Sequence, residues 1–348
     1  MQGLRFTEDI IIMGNQAADL DSCVSAFAFA SLLTALNPEI KIHPLIQGSF
    51  EDLRLKPEIE SLFRRAGISL RPDHFTAHFP PAPLKGSRNR ALILVDHNRV
   101  DSPELTYRPV GIVDHHRDTG AYPGLSLRDI RICGSCSAII SEYWRESGLP
   151  LSRGNALLLA GAIAVDTGYL DPSWGKATEL DRKEYTRLLG QLSPEDQDYL
   201  KTLLHVKNDL SHLNLMEHLK RDYKDFPVIG LRGGIASITL GQDEFFSPDF
   251  FRQEVIQEFI QKTCPDFLII MHTVPEPFKR ELSVFVPDQK GYAGKEIRQG
   301  LEKLKEPGLS INNTKQNGYG GVWTLYSQKN IKVSRKVLTP LLKEVLEK

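Results

Sequence analysis

Gly111-Ile112-Val113-Asp114-His115-His116 is a short apolar run that stops at an acid and two imidazoles. It reads as a buried strand whose C-terminal edge carries chemistry. Three other acidic positions obey the same rule. Ile10-Ile11-Ile12-Met13 leads into the loop Gly14-Asn15-Gln16-Ala17-Ala18-Asp19-Leu20-Asp21-Ser22. Ala91-Leu92-Ile93-Leu94-Val95 delivers Asp96, His97 and Asn98, and the apolar stretch 155–165 ends at Asp166. Any one of these acids fits a helix cap or a surface charge. Four acid-bearing ends of apolar segments within the first half of one chain call for a joint explanation.

The spacing of the apolar runs gives the architecture. Strands at 10–13, 45–46, 91–95 and 109–113 alternate with helices at 23–36, 57–66, 134–146 and 155–165, with a loop expected over 71–90. That alternation predicts an α/β domain with a mostly parallel sheet and flanking helices, whose ligands bind beyond the carboxyl ends of the strands. From 178 to about 220 the chain turns polar and helical. Beyond it, runs at 228–240, 267–271, 281–286 and 322–326 read as strands, those at 248–262, 295–304 and 334–346 as helices, and 317–321 as a turn. The 348 residues exceed one ordinary core. We therefore expect a catalytic domain over 1–190, a linker helix region over 191–221 and a smaller α+β domain over 222–348.

Composition narrows the classes of function. Apolar residues at 41% and charged residues at 25% indicate a globular chain, and a net charge of -1 argues for no nucleic acid or anionic membrane partner. An anionic substrate must then be held by local charge or metal. Cys23, Cys133, Cys136 and Cys264 lack the second pair that a structural zinc site wants, so they read as reduced thiols. The stretch up to Asp9 has no h-region or cleavage site, and no run is long enough to span a bilayer. The expected location is cytoplasmic, with no obligate protein partner.

The inventory at the expected strand ends is Asp19, Asp21, Asp96, Asp114, His115, His116 and Asp166. Converging carboxylates repel unless a cation neutralises them. Carboxylates with one or two imidazoles suit Mg²⁺, Mn²⁺ or Co²⁺ better than a structural zinc. Five or more ligands suggest two ions about 3.5–4 Å apart, as used for in-line displacement at phosphorus. Asp96, alone on the strongest strand, is the candidate bridge between them.

These motifs, in this order, resemble the DHH phosphoesterase superfamily. The residues that carry the likeness are the 14–22 loop, Leu94-Val95-Asp96-His97-Asn98, Val113-Asp114-His115-His116 and Val165-Asp166-Thr167. The second half, through Asp222-Tyr223-Lys224-Asp225-Phe226 and Ser334-Arg335-Lys336, is similar to the C-terminal domain shared by family II inorganic pyrophosphatases, yeast-type cytosolic exopolyphosphatases and prune proteins. The Gly-Asn-x-x-x-Asp-x-Asp-Ser form of the first motif resembles the exopolyphosphatase and prune branch, since family II pyrophosphatases carry His where this chain has Asn15.

The resemblance implies two divalent ions. Asp19 and Asp96 would hold one; Asp21, Asp96, His115 and Asp166 would hold the other. His116 would contact the phosphate and protonate the leaving group, Arg335 and Lys336 would grip the phosphate chain, and Asn15 would face the substrate. It further implies attack by a hydroxide bridging the two ions, which trims inorganic polyphosphate from its end. Inorganic pyrophosphate is the close rival. Two other classes remain open: phosphodiester cleavage of short nucleotides, and a prune-like interaction protein that keeps the fold and works through its surface. Arg131, Lys207 and Lys224 are further cationic candidates for the substrate.

Overall fold

The computed structural model describes Phe6 and residues 9–77, 91–100, 107–228, 230–274, 276–315 and 320–347. The turn expected at 317–319 and the 78–90 part of the expected loop lie outside them. The chain divides into two compact units, Met1–Asp209 and Leu210–Lys348. The stretch read as a linker is shared between them, its helices falling on either side of the division.

In the first unit the elements are β1 (Ile10–Met13), α1 (Leu20–Leu36), β2 (Ile42–Leu45), α2 (Pro57–Arg65), β3 (Ala91–Val95), β4 (Arg108–Asp114) and β5 (Leu127–Ile130). Helices α3 (Cys136–Ser147), α4 (Arg153–Thr167), α5 (Glu179–Leu189), α6 (Pro194–Leu200) and α7 (Leu203–Asn208) follow. The strands form one sheet in the order β2-β1-β3-β4-β5, and every pair is parallel. β1 and β3 are buried along their whole length, which is why they are apolar at every position rather than at alternate ones. Helices α1 and α4 are apolar all round and lie in the same core as Trp144 and Phe63.

The strand order sets the place of the site. β1 has β2 on one side and β3 on the other, so the chain leaves neighbouring strands in opposite directions. A crevice opens at such a switch point, beyond the carboxyl ends. The loop carrying Asn15, Asp19 and Asp21 leaves β1 there, and Asp96 leaves β3 beside it.

The second unit holds α8 (Leu215–Arg221), β6 (Tyr223–Val228), β7 (Leu231–Ile238), α9 (Gln242–Phe245), α10 (Gln253–Thr263), β8 (Phe267–Val274) and β9 (Lys279–Pro287). After these come α11 (Gly291–Lys303), β10 (Leu309–Lys315), β11 (Gly321–Gln328) and α12 (Arg335–Leu346). The six strands run in the order β10-β11-β9-β8-β7-β6, with only β7 and β8 parallel among the pairs. Leu301 of α11 and Leu338 of α12 belong to the core on one face, and Leu219, Phe245 and Phe259 of α8 to α10 to the core on the other. Among the described residues no helix is long and apolar enough to cross a membrane.

Candidate metal centre

The first loop is held by its own residues. A side chain at Gly14 would run into Ser22. The close approach lets the Asn15 N–H donate to Ser22 Oγ at 2.6 Å. Asn15 Oδ1 accepts from the Ala18 N–H at 3.1 Å, and Asn15 Nδ2 donates to Asp96 Oδ2 at 2.7 Å and to the Asp96 carbonyl at 3.2 Å. The Asn15 amide thus helps to fix Asp96. Asp19 caps α1 by accepting from the Ser22 N–H at 3.1 Å.

Asp96 is buried at the end of β3 in a left-handed backbone conformation, φ 62°. Such strain in a residue with a Cβ is found where the surroundings over-determine it, often at functional sites. The Asp96 N–H donates to the Val113 carbonyl at 3.0 Å, tying the end of β3 to β4.

Asp114 and the two histidines divide their tasks. Asp114 Oδ1 accepts from the His115 N–H at 2.8 Å, the His116 N–H at 3.2 Å and His116 Nδ1 at 2.9 Å, while Oδ2 accepts from Asn98 Nδ2 at 2.5 Å. That carboxylate orients His116, whose ring is exposed. His115 turns the other way. Its Nδ1 donates to the Cys133 carbonyl at 2.9 Å, and its Nε2 lies 3.0 Å from Asp96 Oδ1 and 3.8 Å from Asp21 Oδ2.

Asp21 is fully buried against the N-terminus of α3. Its Oδ1 accepts from Ser135 Oγ at 2.8 Å, the Ser137 N–H at 2.9 Å and Ser137 Oγ at 2.5 Å, and its Oδ2 accepts from the Cys136 N–H at 2.7 Å. This explains the Gly134-Ser135-Cys136-Ser137 motif: short side chains and free helix N–H groups make a cradle for one carboxylate. The cysteines contribute backbone groups, and all four are free thiols.

The donor atoms form two sets. Asp96, His115 and His116 offer one atom each within 4.8 Å of one another, and so do Asp21, His115 and Asp166. Asp19 belongs to neither set, yet its charge acts on both Asp96 and Asp166. Burial and then the Asp21 charge push the Asp96 carboxyl well above the usual carboxylate range, and burial with Asp21 and Asp19 does the same to Asp166. Burial opposes charging of His115, but the bonds to Asp96 and the Cys133 carbonyl and the field of Asp21 outweigh it and push the ring up to about 12.

A cation fits this arrangement. Because the Cys133 carbonyl can only accept, His115 carries its proton on Nδ1, and in the neutral ring Nε2 is a bare lone pair. Charged, the ring turns that nitrogen's N–H toward Asp96 Oδ1 at 3.0 Å, a buried oxygen with no other hydrogen-bond donor among the described residues. A divalent ion can take the place of that proton between Nε2 and the neighbouring carboxylates, and the Cys133 carbonyl is then the outer partner that metal-bound imidazoles usually have.

In the second unit Arg335 begins α12, where its guanidinium donates to the Asp222 carbonyl at 3.0 Å and pairs with Asp222 Oδ1 at 2.8 Å. Lys336 is exposed. Arg131 is bound by Asp129 at 2.8 Å and Glu142 at 2.7 Å.

With this geometry in hand, comparison with known proteins is decisive. Residues 9–163 match the DHH family, N-terminal domain, and residues 201–345 match the DHHA2 domain. The chain carries a DHH N-terminal domain and a DHHA2 domain. It is 29% identical to the Schizosaccharomyces pombe "Putative exopolyphosphatase" over 95% of this chain and 89% of that one. It is 28% identical to "Exopolyphosphatase PRUNE1" of Rattus norvegicus over 97% of this chain and 75% of that one. The crystal structure of the Methanococcus jannaschii "putative family II inorganic pyrophosphatase" shares the fold, with a TM-score of 0.57 at 19% identity, covering 98% of this chain and all of that one.

Two residues of the first unit escaped the sequence reading. Asp181, fully buried on α5, accepts from the N–H groups of Gly134 at 2.7 Å and Ser135 at 3.1 Å. Thr178-x-x-Asp181 is legible as a capping box, but nothing in that pattern points to the distant turn. Asn98 was seen as a neighbour of Asp96; its part in holding Asp114 depends on the return of β4 beside β3.

Proposed function

We propose that this chain is a metal-dependent phosphoanhydride hydrolase, and more finely an exopolyphosphatase that releases orthophosphate from the end of inorganic polyphosphate. The observation that carries the reading is His115 Nε2 set 3.0 Å from the buried Asp96 Oδ1, among carboxylates that burial and mutual repulsion disfavour as anions. Asp19, Asp21, Asp96, His115 and Asp166 would hold two divalent ions, Mg²⁺ or Mn²⁺, with Asp96 shared. When bound, these ions make a water acidic enough to serve as nucleophile near neutrality and neutralise phosphate oxygens.

The chain's own groups supply the rest. His116 is aimed by Asp114, and the bond to Asp114 raises its affinity for a proton despite partial burial. A protonated, half-exposed imidazole suits contact with a phosphate oxygen and proton delivery to the departing phosphate. Asn15 holds the shared carboxylate in place. Arg335 and Lys336 are assigned to the phosphate chain, since a polyanion needs cations beyond two metals and a guanidinium binds phosphate bidentately. The likeness of the whole chain to two proteins named as exopolyphosphatases supports the substrate; inorganic pyrophosphate is the alternative.

The test is phosphate release from long-chain polyphosphate and from pyrophosphate, side by side, in Mg²⁺ and then in Mn²⁺, with Asp96→Ala as control. Release from the long chain that the variant abolishes is the expected result. Fast pyrophosphate cleavage with little action on the chain would establish the alternative, and no release from either would overturn the reading.

A further inference from the structure

The second unit contains a cavity of about 470 Å³ between α11 and the adjoining strands β9 and β11. That volume falls in the range of small-molecule sites, roughly 300–1,000 Å³. Its floor is apolar, made by Val284, Val286 and Val322, and Lys295 and Arg298 of α11 line it from above. We propose that this cavity binds a small organic anion, its apolar body on the valine floor and its carboxylate, sulfonate or phosphate toward Lys295 and Arg298.

The helix itself supports a space kept open. Gly291 and Gly294 both line the cavity. Glycine in a helix costs about 1 kcal/mol relative to alanine, so a packing reason is expected where it persists. Gly294, inside the helix, shows none among the described residues. A Cβ at Gly291 would meet nothing within 4 Å, and one at Gly294 would make ordinary contact with Val286 at 3.4 Å. The two glycines therefore leave empty volume rather than permit a close approach.

The polar groups of the wall are under-used by the protein. Among the described residues the Arg298 guanidinium makes one long bond, to Thr324 Oγ1 at 3.3 Å. The Tyr326 hydroxyl in the same wall is buried with no hydrogen-bond partner among the described residues. Asp288 and Glu302 also line the cavity, so a ligand of high negative charge is disfavoured and a single anionic group is preferred. An inorganic polyphosphate has no apolar surface to place on three valines, so this is not a second hold on that substrate.

The experiment uses the full chain with 2-naphthalenesulfonate as the probe and 2-naphthalenemethanol as its neutral counterpart. Titration is followed by fluorescence and by valine-methyl NMR. The expected result is saturable binding that shifts the methyls of Val284, Val286 and Val322, about tenfold or more weaker for the neutral probe or for Arg298→Glu. Gly294→Phe, whose Cβ the site accepts, should abolish binding while the thermal midpoint is retained. Absence of saturable binding, equal binding by Gly294→Phe, or shifts confined to other methyls would overturn the proposal. Equal binding of the neutral probe would overturn the preference for an anion.

Discussion

Asp21 and Asp181 grip one turn from its two ends. Asp181 takes the N–H groups of Gly134 and Ser135, and Asp21 takes those of Cys136 and Ser137. The position of a candidate metal ligand is thereby linked to a carboxylate that touches no member of the cluster. Asp181 also accepts from the Thr178 N–H and Oγ1, both at 2.7 Å.

Asp181→Asn offers one acceptor oxygen where the carboxylate served four donors. We expect it to lower Mn²⁺ affinity, by less than the roughly 10–100-fold usual for losing a direct outer partner of a metal ligand. The control is Asp196→Asn, an equally buried carboxylate of the same unit bound to Arg65 and Arg153. Calorimetric titration should show the control destabilised with its metal affinity unchanged. Equal affinity in wild type and Asp181→Asn would remove Asp181 from this role.

Asn15→His replaces an amide that fixes Asp96 by an imidazole. Nitrogen donors favour Mn²⁺ and Co²⁺ over Mg²⁺. The ratio of phosphate release in Mn²⁺ to that in Mg²⁺ should rise in the variant. An unchanged ratio would show that position 15 does not tune the metal.

Gly14→Ala places a Cβ against Ser22 and breaks the turn that presents Asn15. Overpacking of this kind costs about 1–3 kcal/mol. The denaturant midpoint of the first unit should fall accordingly, and an unchanged midpoint would mean that the loop relaxes freely.

His272 gives the second unit an acid limit. It is fully buried on β8, with Nδ1 bonded to the Leu240 carbonyl at 3.0 Å and Nε2 to Ser283 Oγ at 2.8 Å. Burial lowers the ring from 6.5 to about 4. The unfolded chain therefore binds the proton first. Stability is complete above about pH 6.5 and is lost as pH falls toward 4, by about 3 kcal/mol in all. An NMR titration should find this imidazole neutral at pH 5. A midpoint near 6.5 would contradict the account.

The residues that were legible in the sequence share a cause. Asp96 follows a strand that is buried in full and Asp114 closes the buried half of β4, and such a buried apolar run has no other reason to end in acid. What was lost depends on partners remote in the chain. That Asn15 meets Asp96, or Arg335 meets Asp222, follows from the fold and from no local pattern. The strands missed or blurred, β5 of the parallel sheet and β6, with its Pro227, and the polar β10 of the six-stranded sheet, all lie at sheet edges, where apolar alternation is weakest.

The central claim is that the buried acids and imidazoles form a divalent-metal centre on which hydrolysis depends. The most direct measurement is calorimetric titration of metal-stripped protein with Mn²⁺, paired with phosphate release from polyphosphate in the same samples. The account predicts saturable binding of two ions, return of phosphate release as they bind, and loss of both in Asp96→Asn. Phosphate release that persists in excess chelator, or metal binding undiminished in Asp96→Asn, would contradict it.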